Sequence, residues 1–384
     1  MPGQVPISRL QPRRLLVRGV NWLGDSVMTT PALQRLRQCF PEAHIALLAP
    51  QKVAELWGHH PSLNAVHTFV PGEGLLGVSR RLREQHFDTA LVLPNSPRSA
   101  LEVWLAGIPR RVGLARPWRN WCLSEPVSPR PGQVRMRKKS VKEIRQLIGS
   151  GPDQGASHTE RPGASAHQVH EYLHLAAALG ASAEPVPPLL VTEPQELDAA
   201  RVKFGLGRGG SGGGPLLGLS PGAEYGPAKR WPAERFVAAA REIQRRTDCV
   251  WLLLGGGGDV AVAAEVEAGL RAADLVVHNL AGKTSLRELM VVLKLCRVLL
   301  SNDSGSMHVA AALGVPVVVP FGSTSPELTG PGLPGDARHQ LLRAEAACAP
   351  CFRRICPIDF RCMTGIPVEQ VVTGVITRAT TEGV

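Results

Sequence analysis

Short apolar runs rich in Val, Leu and Ile alternate with segments of helical periodicity, twice over, along the chain. No other feature narrows the fold as far. In the first half the strand-like runs are RRLLVRGV, AHIALLAP, AVHTFV, TALVLP and RRVGL. Between them lie SVMTTPALQRLRQCF, VAELWGHH, LLGVSRRLREQH and SPRSALEVWLAG, the last predicted to be capped by its leading serine. The second half repeats the scheme with PLLGLSPG, CVWLLLGG, VHNLAG, RVLLSND and PVVVPFG as strands. Its predicted helices are PAERFVAAAREIQRR, VAVAAEVEAGLRAA, SLRELMVVLKLC and SGSMHVAAALG. Parallel strands need crossover connections, which helices supply, so the pattern predicts an α/β chain of two Rossmann-like domains. A ligand cleft is then expected at the domain interface, lined by the carboxyl ends of strands.

With 384 residues, two domains are the natural division. The boundaries read as an N-terminal domain over 1–185 and a linker over 186–214, ending in a Gly/Ser tract. A C-terminal domain follows over 215–367, and a terminal helix over 368–384 packs back on the N-terminal domain. Residues 126–170, basic and then rich in Gly, Ser and Pro, read as a flexible surface loop. No apolar run reaches the ~20 residues of a membrane span, and no signal-peptide core is evident, so a cytoplasmic protein with reduced cysteines is expected. The formal charge of +11 favours anionic partners. Aromatic residues at 4% argue against a base-stacking surface, and no nucleic acid is expected.

Three stretches suggest chemistry. RGVNWLGDSVMTTPAL (18–33) has the form of a nucleotide-binding turn but lacks G-x-G-x-x-G, and sets a carboxylate, Asp25, where phosphate would be repelled. LLSNDSGSMHVAAALG (299–314) ends a strand at Asn302-Asp303 and opens a helix at Ser304-Gly305, whose free N–H groups suit an anion. His308 can point to the same place. On spacing alone Asp303 or Ser304 is equally a helix cap, and His308 a packed histidine. SPGAEYGPAKRWP (220–232) places Lys229 just before a helix, either as a phosphate ligand or as a solvated lysine.

Together with LAGKTSL, the stretch running from SNDSGSMH to ELTGP, and CAPCFRRICP, these blocks resemble the ADP-heptose:lipopolysaccharide heptosyltransferases, glycosyltransferase family 9. The resemblance implies a GT-B architecture, with two Rossmann-like domains facing across a cleft. It implies an inverting transfer of L-glycero-D-manno-heptose from ADP-heptose to the heptosylated inner core of lipid A, with no cofactor required. The enzyme would be peripheral to the cytoplasmic face of the inner membrane. Asp25 is then the catalytic base, and Lys229, Asp303, Ser304, Gly305 and His308 bind the donor. Thr284 and Ser285, beside Lys283, take a donor-side role or cap a helix, and Ser323 and Thr324 stand the same way.

The acidic base suits inverting chemistry, because a helix N-terminus keeps a carboxylate ionised to accept the acceptor's proton. Lys229 and the helix start would meet the charge growing on the leaving ADP. Arg110, Arg111, Arg116 and Arg119, with RMRKK (135–139), read as a solvated basic face toward the phosphorylated core and the acidic leaflet. Cys348, Cys351, Cys356 and Cys362 follow C-x2-C-x4-C-x5-C, a weak metal candidate with gaps shorter than a two-knuckle zinc site. Two other readings remain: a family relative adding sugar elsewhere on the core or O-chain, and a non-catalytic nucleotide-binding module. An epimerase of the same fold is a third.

Overall fold

A computed structural model describes residues 11–134, 136–149, 162–207 and 214–380. Two parallel six-stranded sheets organise it. The first contains β1 (Arg14–Arg18), β2 (His44–Pro50), β3 (Ala65–Phe69), β4 (Thr89–Val92), β5 (Arg110–Leu114) and β6 (Glu125–Val127), in the order β3-β2-β1-β4-β5-β6. The second contains β7 (Leu216–Ser220), β8 (Val250–Leu253), β9 (Val277–Asn279), β10 (Val298–Ser301), β11 (Val317–Phe321) and β12 (Gln340–Arg343), in the order β12-β11-β10-β7-β8-β9. Each sheet thus steps outward from its first strand, returns, and steps outward on the other side, the Rossmann order. The topological switch point lies between β1 and β4 in one sheet and between β7 and β10 in the other.

Central strands read as unbroken apolar runs because helices cover both of their faces. Leu15, Leu16 and Val17 on β1, and Val298, Leu299 and Leu300 on β10, are completely buried. The strand and helix order follows the sequence expectation, and Ser96 caps its helix (Pro97–Leu105) by accepting from the Ser99 N–H at 3.2 Å. The edge strands β6 and β12 were not anticipated. Both are short, and among the described residues no strand pairs with the outer side of either.

Two compact units form, one running through Gln133 and resuming at Val169–Val186, the other comprising Val134–Gln168 and everything from Pro187. Three boundary expectations need correction. Within 126–170, read as loop, Val141–Gly149 is a helix whose Ile144 is buried against Cys348 and Cys351, so this stretch joins the second unit. Within the expected linker 186–214, Pro194–Phe204 is a helix with a Glu193/Glu196 capping box, packed on the helix Leu286–Leu295 and tied there by Arg287–Glu196 at 2.6 Å. The terminal helix Val368–Thr380 does not return to the first unit. Its Val371, Val372 and Val375 are buried in the second unit's core, against the helix Ala233–Thr247 and strands β10–β12. The Gly/Ser tract 208–213 lies outside the described residues.

Candidate active site

In the first unit β1 leads through Gly19–Trp22 into the helix Leu23–Met28. Trp22 holds the N-cap position without a side-chain cap, and Asp25 is the third helical residue, half-buried in the first turn. Asp25 is thus not the N-cap residue, and its carboxylate sits at the positive end of a short helix at the β1/β4 switch point. The turn is braced from below. Buried Arg18 donates to Glu102 at 2.8 Å, to the carbonyl of Gly19 and to Asn21 Oδ1 at 3.3 Å, while its guanidinium lies 4.6 Å from the centroid of Phe69. Glu102 comes from the helix that follows β4, so the ion pair ties the two strands of the switch point to the loop before Asp25.

The second unit builds its counterpart at the ends of β7 and β10. Asn302 latches the two: its amide donates to Pro221 O at 2.7 Å, and its carbonyl oxygen accepts the Trp231 N–H at 2.9 Å. Asp303 is buried, and its Oδ2 takes the Lys229 ammonium at 2.6 Å and the Thr324 hydroxyl at 2.5 Å. Asp303 is thus no helix cap. Ser304 stands at the N-cap of Gly305–Ala312 in extended geometry, without a side-chain cap bond, its hydroxyl 3.1 Å from that of Ser301. The first turn of the helix is left uncapped by side chains beside a mostly buried lysine, a pairing whose chemistry suits an anion. His308, one turn on, is buried, and burial pushes its pKa down to about 4 against the opposing pull of Asp303. It is a neutral imidazole at physiological pH.

Several expected residues have structural partners. Ser285 is the N-cap of Leu286–Leu295, accepting from the Glu288 N–H at 3.2 Å, while Glu288 accepts the Ser285 N–H at 2.9 Å. The adjacent Lys283 donates to Asn279 O at 2.8 Å. Thr284 precedes that cap on the same turn. Ser323 accepts, through its carbonyl, the N–H groups of Cys351 and Phe352. Of the glycine-rich stretch 255–258, Gly255 is required by packing, since a Cβ there would meet Asp259 Cβ at 2.8 Å.

Of the expected basic face, Arg137 and Lys138 are exposed as read, whereas Arg110, Arg111, Arg116 and Arg119 are not a solvated surface. Arg119 is completely buried, donates to Pro94 O, and has its pKa lowered to about 10 by burial. Arg110 pairs with Glu125 at 2.7 Å. Arg111 donates to the carbonyls of Cys122, Ile108 and Pro109, and Arg116 to that of Ala115. These side chains stitch the β5–β6 connection together, because a short edge strand has few ladder bonds of its own. Arg135 lies outside the described residues. What the surface does expose here is aromatic: Trp104 (41%), Trp118 (56%) and Trp121 (60%), with Trp104 and Trp121 edge to face at 5.5 Å.

The four C-terminal cysteines do converge, lining one pocket with Ile144, Ser323 and Arg361. All are free thiols, and burial followed by the neighbouring sulfurs raises Cys348, and Cys362 to about 12. Among the described residues no group of three or more His, Cys, Asp or Glu side chains is arranged to hold a metal.

Two doubly wound, parallel six-stranded sheets are the architecture of the GT-B class. Comparison with known proteins narrows the class. The sequence profile of glycosyltransferase family 9 (heptosyltransferase) matches residues 155–360. The chain is 32% identical over 332 residues to lipopolysaccharide heptosyltransferase 2 of Escherichia coli K12, covering 83% of this chain and 85% of that protein. It is 31% identical over 337 residues to lipooligosaccharide heptosyltransferase 2 of Haemophilus ducreyi, covering 83% and 86%. The solved structure of E. coli ADP-heptose lipopolysaccharide heptosyltransferase II superposes with a TM-score of 0.73 at 26% identity, over 95% of this chain and 98% of that one. The chain belongs to glycosyltransferase family 9, the heptosyltransferases, and is a glycosyltransferase.

Proposed function

We propose that this enzyme moves L-glycero-D-manno-heptose from ADP-heptose onto the heptose already present on the inner core of lipid A, with inversion at the anomeric carbon. The observation that carries the donor half is the Lys229–Asp303 pair at 2.6 Å beside the uncapped start of Gly305–Ala312. The acceptor half rests on the likeness to the heptosyltransferase 2 proteins.

In this reading the acceptor hydroxyl oxygen attacks the anomeric carbon as the bond from that carbon to the distal phosphate oxygen breaks. The hydroxyl proton goes to Asp25, and the electron pair of the broken bond leaves on ADP. Asp25 accepts the proton because the helix dipole keeps it ionised. Lys229 and the N–H groups of the first turn of Gly305–Ala312 stabilise the growing phosphate charge. Asp303 and Thr324 hold Lys229 in place, and neutral His308 supplies a hydrogen-bonding group without adding charge. The scheme invokes no metal.

The acceptor is a lipid, and no helix among the described residues is long and apolar enough to cross a membrane. We therefore place the enzyme at the cytoplasmic face of the inner membrane as a peripheral protein. The charge of +11 and the exposed Trp104, Trp118 and Trp121 support this, because tryptophan favours the headgroup level. Sedimentation with anionic vesicles tests the placement. Charge reversal at Arg137, Lys138 and Lys139, or Trp121→Ala, should weaken binding, and equal sedimentation of all variants would refute it.

The decisive assay incubates the enzyme with ADP-heptose and lipid A–Kdo acceptors bearing none, one or two heptoses, with and without chelator. Consumption of the single-heptose acceptor alone, unaffected by chelator, is expected. Consumption of a different acceptor would move the enzyme to another position on the core or O-chain. A stable nucleotide complex with no product from any acceptor would favour a binding module.

A further inference from the structure

The cysteine-rich segment approaches the loop that carries Lys229 and brings a second cation with it. The Ala228 N–H donates to Arg354 O at 3.0 Å, and Tyr225 donates its hydroxyl proton to Phe352 O at 2.8 Å. Between them stands Gly226 at φ +145°, where a Cβ would lie 2.5 Å from Arg354 O, so glycine is the residue that permits this approach. The Tyr225 ring then has Lys229 Nζ 4.8 Å from its centroid and the Arg354 guanidinium 5.2 Å from it. The two cations are therefore no more than about 10 Å apart.

The segment is fixed from its far side too. The N–H groups of Cys351 and Phe352 donate to Ser323 O at 3.1 and 2.7 Å, and Arg353 donates to Lys139 O at 3.0 Å. Phe352 is held at φ +52°, a conformation that a bulky residue keeps only when its surroundings impose it. Arg354 is thus presented from an anchored backbone.

The charges are unequal. Lys229 is paired with Asp303, whereas Arg354 is exposed and makes no ion pair among the described residues. Two cations against one aromatic ring are each attracted by its face yet repel one another. Asp303 answers the lysine's charge, and an anion reaching across the ring would answer that of Arg354.

We propose that Arg354 is a second donor-site cation, contacting the diphosphate of the nucleotide sugar alongside Lys229, with Tyr225 setting the spacing of the two. This rests on the donor being a nucleoside diphosphate sugar, as in the proposed function. A guanidinium can grip two phosphate oxygens at once, whereas the lysine acts as a point charge. As the anomeric bond breaks and charge moves onto the phosphate, the same contact strengthens. The cysteine loop acquires a role as the scaffold of a binding residue, independent of any metal.

Calorimetric titration of the full chain with ADP, AMP and adenosine tests this, using the native protein, Arg354→Ala, Arg354→Lys and Tyr225→Phe. Arg354→Ala should weaken ADP about tenfold, AMP less, and adenosine not at all. Arg354→Lys should recover part of the loss, with the melting temperature unchanged in both. Tyr225→Phe keeps the ring but loses the bond to Phe352 O, and should weaken ADP by a smaller factor. Unchanged ADP affinity in Arg354→Ala overturns the proposal, and so does an equal loss for ADP and adenosine, which would mean a disturbed loop. If the native protein binds ADP but transfers no heptose, the proposed function fails instead. If it does both and Arg354→Ala matches it, this inference alone fails.

Discussion

Asp25 and His308 are both titratable residues near a helix start, and the structure gives them opposite environments. Asp25 is half-buried in the first turn of its helix, where the dipole favours the charged form. Asp25→Asn keeps the shape but cannot take a proton. Transfer should fall on the order of a hundred- to ten-thousandfold while ADP-heptose affinity stays within a factor of two or so, read from single-turnover rates and equilibrium titration. His308 and His339 are buried, and desolvation takes each to about 4 from the ordinary 6.5. Because both resist protonation only in the folded state, their stabilising effect is complete above pH ~6.5 and is lost as pH falls toward 4. Each can contribute up to about 3 kcal/mol. Thermal melts should show the midpoint dropping between pH 6.5 and 4, and His339→Gln should flatten that drop. An equally steep drop in the variant would dissociate His339 from it.

At the scale of elements, the loop from β1 to Asp25 depends on a pair distant in sequence. Arg18 and Glu102 are 84 residues apart and meet because β1 and β4 are neighbours at the switch point. Glu102→Gln leaves the Arg18 guanidinium buried beside a neutral partner, and should cost about 3–5 kcal/mol in denaturant unfolding. It should also slow transfer more than it weakens ADP binding, since nucleotide binding is assigned to the other unit. Equal losses in both would show a global effect only. Elements were legible where their periodicity was strong, as in the helix Ala233–Thr247 and the runs of β1 and β10. The helix Val141–Gly149 carried its signal in Val141, Ile144 and Ile148, but a basic, Gly- and Pro-rich surrounding outweighed it. Strands β6 (EPV) and β12 (QLLR) offered too little apolar pattern to find, the first carrying a charge and a proline and the second only two apolar residues.

At the scale of the whole molecule, the chain divides into two compact units, so a ligand held by one should stabilise that one directly. ADP at a hundred times its dissociation constant should add about 2.7 kcal/mol to the unit that binds it. Hydrogen exchange should show new protection around Lys229, Asp303–His308 and the Cys348–Cys362 segment, with strands β1–β6 little changed. Protection centred on β1 and Asp25 instead would exchange the roles assigned to the two units.

Two doubly wound parallel sheets, the family, and the strand-to-helix turns that carry Asp25, Lys229 and Asp303 are readable in the sequence. Each is written locally, as periodicity over one element or as a motif contained in one turn. The residues that organise those turns could not be read that way. Glu102 beneath the Asp25 loop, Thr324 on Asp303, Arg354 against Tyr225, and the burial of Arg119 all depend on contacts between strands and loops far apart in sequence. An arginine has the same composition and local pattern whether it faces water, an anion or a backbone carbonyl. Burial and partners distinguish these cases, and the packed chain supplies both.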